Sequence, residues 1–295
     1  MKIATIVVNY NSENDTINFV NALSAYNSIE KIVVVDNKST TIGAFEKIEK
    51  LRSNKVEVLQ SGKNGGYNYG INYGIKHLEK NNEKYDCYLV SNSDIKIEEE
   101  AIEKCAQILE QMADAGIVAP RMYNKNNKPI RRSSWKIRTF WRDIVHSTRL
   151  LELIFYRVLR NGEYSDKDYK KEILEVEAIS GSCFMIRADA VNKIGYFDEN
   201  VFLFYEEDIL AKQMKDNGYK VICVNSQKFT HYESQTIGKT FSYFTKMVKL
   251  FKSKIYFQKN YNKVNILGLA LYYILFFFRI LELIIEIPLR KLLKK

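Results

Sequence analysis

The chain has 295 residues, 46% of them hydrophobic and 27% charged, with only three prolines. That composition excludes a disordered tail or a low-complexity array, and the length allows one large domain or two modest ones with a full core and no covalent staples. The four cysteines, Cys87, Cys105, Cys183 and Cys223, form no CxxC pair and no zinc-ligand spacing, which suits a reduced cytoplasmic protein. The formal charge of +10 is unevenly spread: residues 236–295 hold twelve Lys/Arg against Glu282 and Glu286, and residues 1–235 hold 33 of each sign. Basic charge gathered in the most apolar part of the chain suits an anionic membrane surface and argues against a nucleic-acid partner.

Only Met1 and Lys2 precede Ile3–Val8, an apolar run too short for a secretory signal. Ile3–Val8, Lys31–Val35, Val56–Leu59, Tyr88–Val90 and Gly116–Ala119 read as strands, rich in Val and Ile. Residues 13–27, 43–53, 67–80 and 97–113 read as helices between them, the last opening on the acidic turn Glu98–Glu100. Such alternation predicts an α/β fold with a mostly parallel central sheet and helices on both faces. Ligands of such sheets lie beyond the C-terminal ends of the strands. Residues 120–160 interrupt the pattern with eleven Lys/Arg against Asp143 and Glu152, and acid–lysine mixtures follow at 163–177. A compact unit comes next: a strand at Cys183–Arg187, a short helix at 189–194, a helix at 206–217 stopped by Gly218, and a strand at Lys220–Val224.

The polar residues at the strand ends carry the chemistry. The first strand runs into Val-Val-Asn-Tyr-Asn-Ser, with Asn9 and Asn11, and the second into Val-Val-Asp-Asn-Lys-Ser, with Asp36. Asp36 closes an apolar strand, where an unpaired carboxylate is costly; it either accepts from a ribose or base, or caps the next helix. A dinucleotide-binding enzyme carries GxGxxG after its first strand, and Asn-Tyr-Asn-Ser-Glu-Asn stands there instead. The segment 62–74 contains Asn64, Gly65 and Gly66, and Gly66, Gly70 and Gly74 fall four apart on one helix face. Three glycines at roughly 1 kcal/mol each imply close approach of that face to the sheet or to a ligand. Tyr88-Leu89-Val90 leads into Ser91-Asn92-Ser93-Asp94, either a plain turn or a set of oxygen donors for a divalent cation. Three acids, Glu206, Glu207 and Asp208, follow the run Phe202-Leu203-Phe204-Tyr205 directly, so at least one of them faces a partly buried cleft where a general base can work.

Taken in order, VVNYNS, VVDNKS, KNGGYNYGINYG, SNSD, and GSCFMIR followed by FLFYEEDIL resemble the inverting family-2 glycosyltransferases of the GT-A fold. The likeness is closest to bacterial rhamnosyltransferase-like enzymes of surface polysaccharide synthesis and covers about residues 3–262. It implies a nucleotide-sugar donor, dTDP-rhamnose or a UDP-hexose, held over the first half of the sheet by Asn9, Asn11, Asp36, Asn64, Gly65, Gly66, Asn92 and Asp94. Asp94 stands where the last acid of the family's DxD motif binds Mg²⁺ or Mn²⁺, and His231 matches a histidine near that metal. The catalytic base falls at Glu207, with Glu206 and Asp208 as rivals should the spacing slip by one; Gly181 and Ser182 shape the acceptor side. Two departures stand out: Asn92 replaces the first DxD aspartate, and the base is a Glu where the family has an Asp. The expected division is a nucleotide-sugar-binding half at 1–118, an acceptor half at 119–235, and a basic, apolar helical segment at 236–295 that associates with a membrane.

Residues 264–287 are apolar apart from Asn265, Arg279, Glu282 and Glu286. Gly268, Tyr272, Arg279, Glu282, Glu286 and Arg290 fall within a band roughly 80° wide at helical spacing. The segment is long enough to span a bilayer, yet its charges favour a helix in the interface that ends or kinks at Pro288 and is anchored by Lys291, Lys294 and Lys295. A cytoplasmic-face enzyme so held reaches a polyprenyl-diphosphate-linked saccharide, with the basic stretch around Arg131 and Arg132 available to its diphosphate. The competing readings are a nucleotidyltransferase, which would open on a GxGxR-type loop missing here, and a membrane-tethered scaffold indifferent to neutralisation of residues 206–208.

Overall fold

A computed structural model describes residues 1–155, 162–232 and 242–292, with the side chain of Arg132 and those after Glu286 excepted. The anchor positions Lys294 and Lys295, the side chain of Lys291 and that of Arg132 therefore lie outside the described residues. Among the described residues eleven strands form: β1 Ile3–Asn9, β2 Lys31–Asp36, β3 Val56–Gln60, β4 Cys87–Ser91, β5 Ile95–Ile97, β6 Ala115–Asn124, β7 Ser134–Trp135, β8 Ile173–Val176, β9 Ala178–Ile179, β10 Cys183–Arg187 and β11 Lys220–His231. The α-helices are α1 Glu13–Ser24, α2 Ala44–Glu49, α3 Tyr67–Lys80, α4 Glu99–Gln111, α5 Phe140–Val145, α6 Arg149–Ile154, α7 Ala188–Ile194, α8 Glu206–Asp216, α9 Tyr243–Asn260 and α10 Ile266–Leu292.

Nine strands make one sheet in the order β3-β2-β1-β4-β10-β6-β11-β5, with β8 also paired to β11. The expected parallel arrangement holds from β3 to β4. Beyond it the sheet is mixed: β10 runs antiparallel to β4 and β6, while β11 is parallel to β6 and antiparallel to β5 and β8. Alternate residues of each buried strand serve opposite faces, as the two-residue period of a strand requires. Ile3 and Val7 of β1 and Ile32 and Val34 of β2 join α1, α2 and α4 in one core. Ala4, Ile6, Val33 and Val35 meet α3 and α7 on the other side.

Differences from the sequence expectation follow from tertiary pairing. The three-residue β5 is too short to read from periodicity. Strand β11 runs past Val224 to His231 because it re-registers on β6 between Val224 and Lys228, and this places His231 opposite Ile95. Helix α10 continues past Pro288 to Leu292, so Pro288 does not end it. Gly66 is not on the helix face with Gly70 and Gly74; it is the cap of α3, at φ 94° and ψ 179°. Gly70 and Gly74 answer the question posed by their spacing, since an added Cβ would meet Val8 Cγ1 at 2.7 Å and Ile6 Cγ2 at 3.1 Å respectively. Those two glycines let α3 lie close on β1 and β2.

Candidate active site

A cleft of about 420 Å³ opens at the C-terminal ends of β1 and β4, where a ligand of such a sheet is expected. Its wall carries Tyr10, Ser12, Asn37, Asn64, Gly66, Asn92, Asp94, Gly181, Ser182, Glu206, Glu207 and His231. Most of the polar residues singled out in the sequence thus converge from five separate segments.

Asp36, Asn9 and Asn11 are exceptions. The Asp36 carboxylate is fully buried and accepts from Asn9 Nδ2 at 2.8 Å and from the Ser39 hydroxyl and backbone N–H at 2.5 and 3.1 Å. Asn9 Oδ1 in turn accepts from Thr16 Oγ1 at 2.8 Å. Asn11 Oδ1 accepts from the N–H groups of Thr40 and Thr41 at 2.8 and 3.0 Å. All three residues stitch the loop after β1 to the loop after β2, and the cleft wall takes their neighbours instead. Neither does Asp36 cap α2, whose cap is Gly43. Asn37 supplies the wall: its Nδ2 donates to the Gly66 carbonyl at 2.7 Å and its Oδ1 accepts from Ser61 Oγ at 3.1 Å.

At the β4 end, Asp94 Oδ1 lies 3.3 Å from His231 Nε2, and the Asp94 carbonyl accepts from the Tyr232 N–H at 2.9 Å. The Asn92 N–H donates to the Ser182 carbonyl at 2.9 Å, which fixes the turn against β10. Among the described residues no three His, Cys, Asp or Glu side chains stand close enough to hold an ion unaided. One carboxylate and one imidazole fit a divalent cation that takes its remaining ligands from phosphate oxygens and water.

The acidic cluster separates at the start of α8. Phe204 and Tyr205 both adopt left-handed φ values, 71° and 69°, and this turn aims Glu206 and Glu207 into the cleft. Glu207 Oε1 accepts from the Gly181 N–H at 3.3 Å, and a Cβ on Gly181 would sit 3.3 Å from the same oxygen. Burial, reinforced by the neighbouring Glu207 charge, pushes the Glu206 carboxyl up to about 8. Asp208 faces the other way. It is 2% exposed, accepts from the Arg138 N–H at 3.0 Å and Trp135 Nε1 at 3.3 Å, and pairs with Arg138 Nε at 3.2 Å. Burial raises its carboxyl to about 6 against the lowering pull of Arg138. With both oxygens engaged away from the cleft, Asp208 drops out as a rival base.

Residues that the sequence did not single out complete the wall. Tyr67, the first residue of α3, donates from its hydroxyl to the Gly181 carbonyl at 3.4 Å. Asn68 Nδ2 donates to the Asp198 carbonyl and Asn72 Nδ2 to the Phe197 carbonyl, each at 2.8 Å, so α3 holds the loop that delivers Phe202, Leu203 and Phe204 to the cleft. The basic stretch finds internal partners: Arg121 stacks on the Tyr169 ring at 4.2 Å, Arg131 lies 3.5 Å from Glu163, and Arg142 donates to the Lys136 carbonyl at 2.7 Å.

The family model for Glycosyl transferase family 2 matches residues 5–195, which includes the sheet half with β1, β2 and β4 and the turn at Asp94. The chain belongs to this family. It is 31% identical over 206 residues to the low-salt glycan biosynthesis hexosyltransferase Agl10 of Haloferax volcanii, covering 70% of this chain and 59% of that protein. A shorter stretch of 76 residues is 30% identical to the N-acetylglucosaminyl-diphospho-decaprenol L-rhamnosyltransferase of Mycobacterium tuberculosis, covering 24% of this chain and 25% of that one. The chain therefore spans less than two thirds of the first relative and about a quarter of the second. Among solved structures, S. aureus TarS 1-349 in complex with UDP-GlcNAc superposes with a TM-score of 0.57 at 17% identity, over 88% of this chain and 67% of that one. The mannosyltransferase PcManGT of Pyrobaculum calidifontis, in complex with GDP-Man and Mn2+, gives 0.55 at 13% identity, over 86% and 62%. At such identities these two likenesses speak for the fold alone.

Proposed function

We propose that the chain is an inverting glycosyltransferase that moves a sugar from a nucleoside-diphosphate donor to a hydroxyl of a lipid-linked saccharide. One observation carries the reading: the Asp94–His231 pair and the Glu206–Glu207 pair open into one cleft at the strand ends of a family-2 fold. The names of the two relatives, a hexosyltransferase of glycan synthesis and a rhamnosyltransferase acting on a diphospho-decaprenol-linked sugar, support a hexose or rhamnose as the sugar moved, and dTDP-rhamnose or a UDP-hexose is the donor on this reading. The second name also supports a polyprenyl-diphosphate-linked acceptor. On this reading the reaction takes place at the cytoplasmic face of the cell membrane, in capsule or other surface polysaccharide synthesis. Residues 1–118 then serve the donor, 119–235 the acceptor and the base, and 236–295 the membrane.

Glu207 takes the proton of the acceptor hydroxyl as its oxygen attacks the anomeric carbon from the face opposite the departing diphosphate. The Gly181 N–H holds one carboxylate oxygen of Glu207 in place, leaving the other for that proton. Glu206, kept neutral near pH 7 by burial and by Glu207, adds no second negative charge beside the base. Asp94 and His231 would hold a divalent cation, Mg²⁺ or Mn²⁺, which when bound would supply positive charge against the leaving diphosphate. Asn37, Asn64 and Gly66 form the donor wall, and Phe202–Phe204 cover the cleft from the acceptor side.

The test is binding and hydrolysis of dTDP-rhamnose, UDP-glucose, UDP-galactose and UDP-N-acetylglucosamine by the purified chain, with and without Mn²⁺. One donor should bind in a metal-assisted way and be slowly hydrolysed. Glu207→Gln should keep the binding and lose turnover by about 10²–10⁴-fold. Folded protein that binds none of these donors overturns the proposal in favour of a non-catalytic scaffold.

A further inference from the structure

Helix α10 is amphipathic in the reverse sense for a protein in water. Among its described side chains, Ile266 to Glu286, the exposed positions are Ile266, Leu267, Ala270, Tyr273, Ile274, Phe277, Phe278, Leu281, Ile284 and Ile285, all apolar, and they fill an arc of roughly 140° at 100° per residue. The charged residues of that stretch, Arg279, Glu282 and Glu286, face the protein instead. Arg279 bridges Glu282 and Glu286, each at 2.8 Å, and Glu282 accepts from the N–H groups of Arg149 and Leu150 at 2.8 and 3.0 Å. Glu282 thereby sets the start of α6 beside α10. Helix α6 has the same inversion in miniature: Leu150, Leu153 and Ile154 are 61–64% exposed at i, i+3, i+4 spacing.

The contacts of α10 with the folded body recur along its length. A Cβ on Gly268 would lie 3.1 Å from the Phe140 ring, the Tyr272 hydroxyl donates to the Phe140 carbonyl at 3.0 Å, and Phe276 stacks on Phe251 at 4.0 Å. From Gly268 to Glu282 that makes about 20 Å of helix held against α5, α6 and α9. A spanning α10 would have to draw those helices into hydrocarbon, together with the buried Asp143 and Lys254 behind them. The occupant is indicated by charge. Both acids of residues 236–295 are committed to Arg279, and Lys252, Lys259 and Lys263 are exposed on the same hairpin.

We propose that the chain docks on an anionic bilayer through a two-helix platform, with α10 lying in the plane of the interface, α6 beside it, and no part of α10 crossing. The platform deepens the lipid-linked reading of the acceptor, yet it is tested without donor or acceptor.

The full chain is sedimented with vesicles of phosphatidylcholine alone and of phosphatidylcholine mixed with phosphatidylglycerol. Binding should require the anionic lipid and be released by alkaline carbonate. The pairs Leu153→Glu/Ile154→Glu and Phe277→Glu/Leu281→Glu should each weaken it by at least about tenfold, since a buried leucine-sized side chain is worth that much. Because the four native cysteines are buried, Lys295→Cys reports topology, and an impermeant maleimide outside sealed vesicles should label it fully. A protected cysteine with carbonate-resistant binding would mean a spanning helix and overturn the proposal. So would a self-associating chain that ignores vesicles, and unaltered binding by the α6 pair would remove α6 from the platform. Circular dichroism and donor hydrolysis measured without vesicles report separately on the fold and on the transferase reading.

Discussion

Glu206 enters the cleft beside Glu207, and its proton has a measurable consequence for stability. Its carboxyl is raised from the ordinary 4.5 to about 8, chiefly by burial and next by the Glu207 charge. Below pH 4.5 the group is protonated in folded and unfolded chains alike, and its contribution to stability is fully present. Between pH 4.5 and 8 the unfolded chain releases the proton while the fold retains it, so that contribution drains away as pH rises and is gone above about 8. Thermal melts from pH 5 to 9 should therefore show Tm falling with pH in the wild type and a shallower fall in Glu206→Gln. Equal slopes would mean that Glu206 is solvated and ionised. This residue scale was only partly legible in the sequence. Three consecutive acids were visible, but successive helix positions turn by about 100°, and only the placement of Arg138 and Trp135 reveals that Asp208 is turned away. The case of Asp36 is similar. An acid at a strand end invites a ligand reading, and what occupies it is a serine three residues on and an asparagine from another strand.

At the scale of elements, α3 and its cap do the most to place the site. Gly66 sits at φ 94° and ψ 179°, a region that residues with a Cβ rarely enter, and an added Cβ would come within 2.8 Å of the Phe202 carbonyl oxygen. The same residue's carbonyl receives Asn37, so the cap ties the donor wall to the loop over the cleft. Gly66→Ala should cost about 1–3 kcal/mol of stability from backbone strain alone. It should also weaken donor binding, because the Phe202 backbone has to retreat. A denaturant melt and a donor titration check this together, and a variant as stable and as tightly binding as wild type would show that the cap is not a constraint. The buried strands and most helices were legible because their periodicity is local. β5, the extension of β11 and the Asn68 and Asn72 clamps were not, because each depends on a partner that is distant in sequence.

Across the whole molecule, the α9–α10 hairpin, α5 and the turn that opens α8 meet in one buried polar cluster. Asp143 of α5, with no exposed surface, accepts from the Tyr205 hydroxyl at 2.8 Å and from Gln258 Nε2 of α9 at 2.6 Å. Lys254 of α9 donates to the Asp143 carbonyl at 3.2 Å, Ser253 donates to the Leu203 carbonyl at 2.8 Å, and Phe257 packs on the Tyr205 ring at 5.4 Å. Tyr205 is the second of the two left-handed residues that turn Glu206 and Glu207 into the cleft, and each such residue carries about 1–3 kcal/mol of strain that its surroundings must offset. The α9–α10 hairpin, proposed to face lipid, is thus also the buttress of the turn that carries Glu206 and Glu207. Tyr205→Phe removes one hydroxyl and leaves the ring in place; it should cost about 1–3 kcal/mol of stability by depriving Asp143 of a donor. With the turn less firmly held, kcat should fall while the donor KM stays close to wild type, since Asp94 and His231 stand on β5 and β11 strand ends that the cluster does not touch. A loss of stability with kcat and KM both unchanged would reduce the cluster to packing. A rise in donor KM would instead place the turn's influence on the donor side, and the buttress would have to be sought elsewhere.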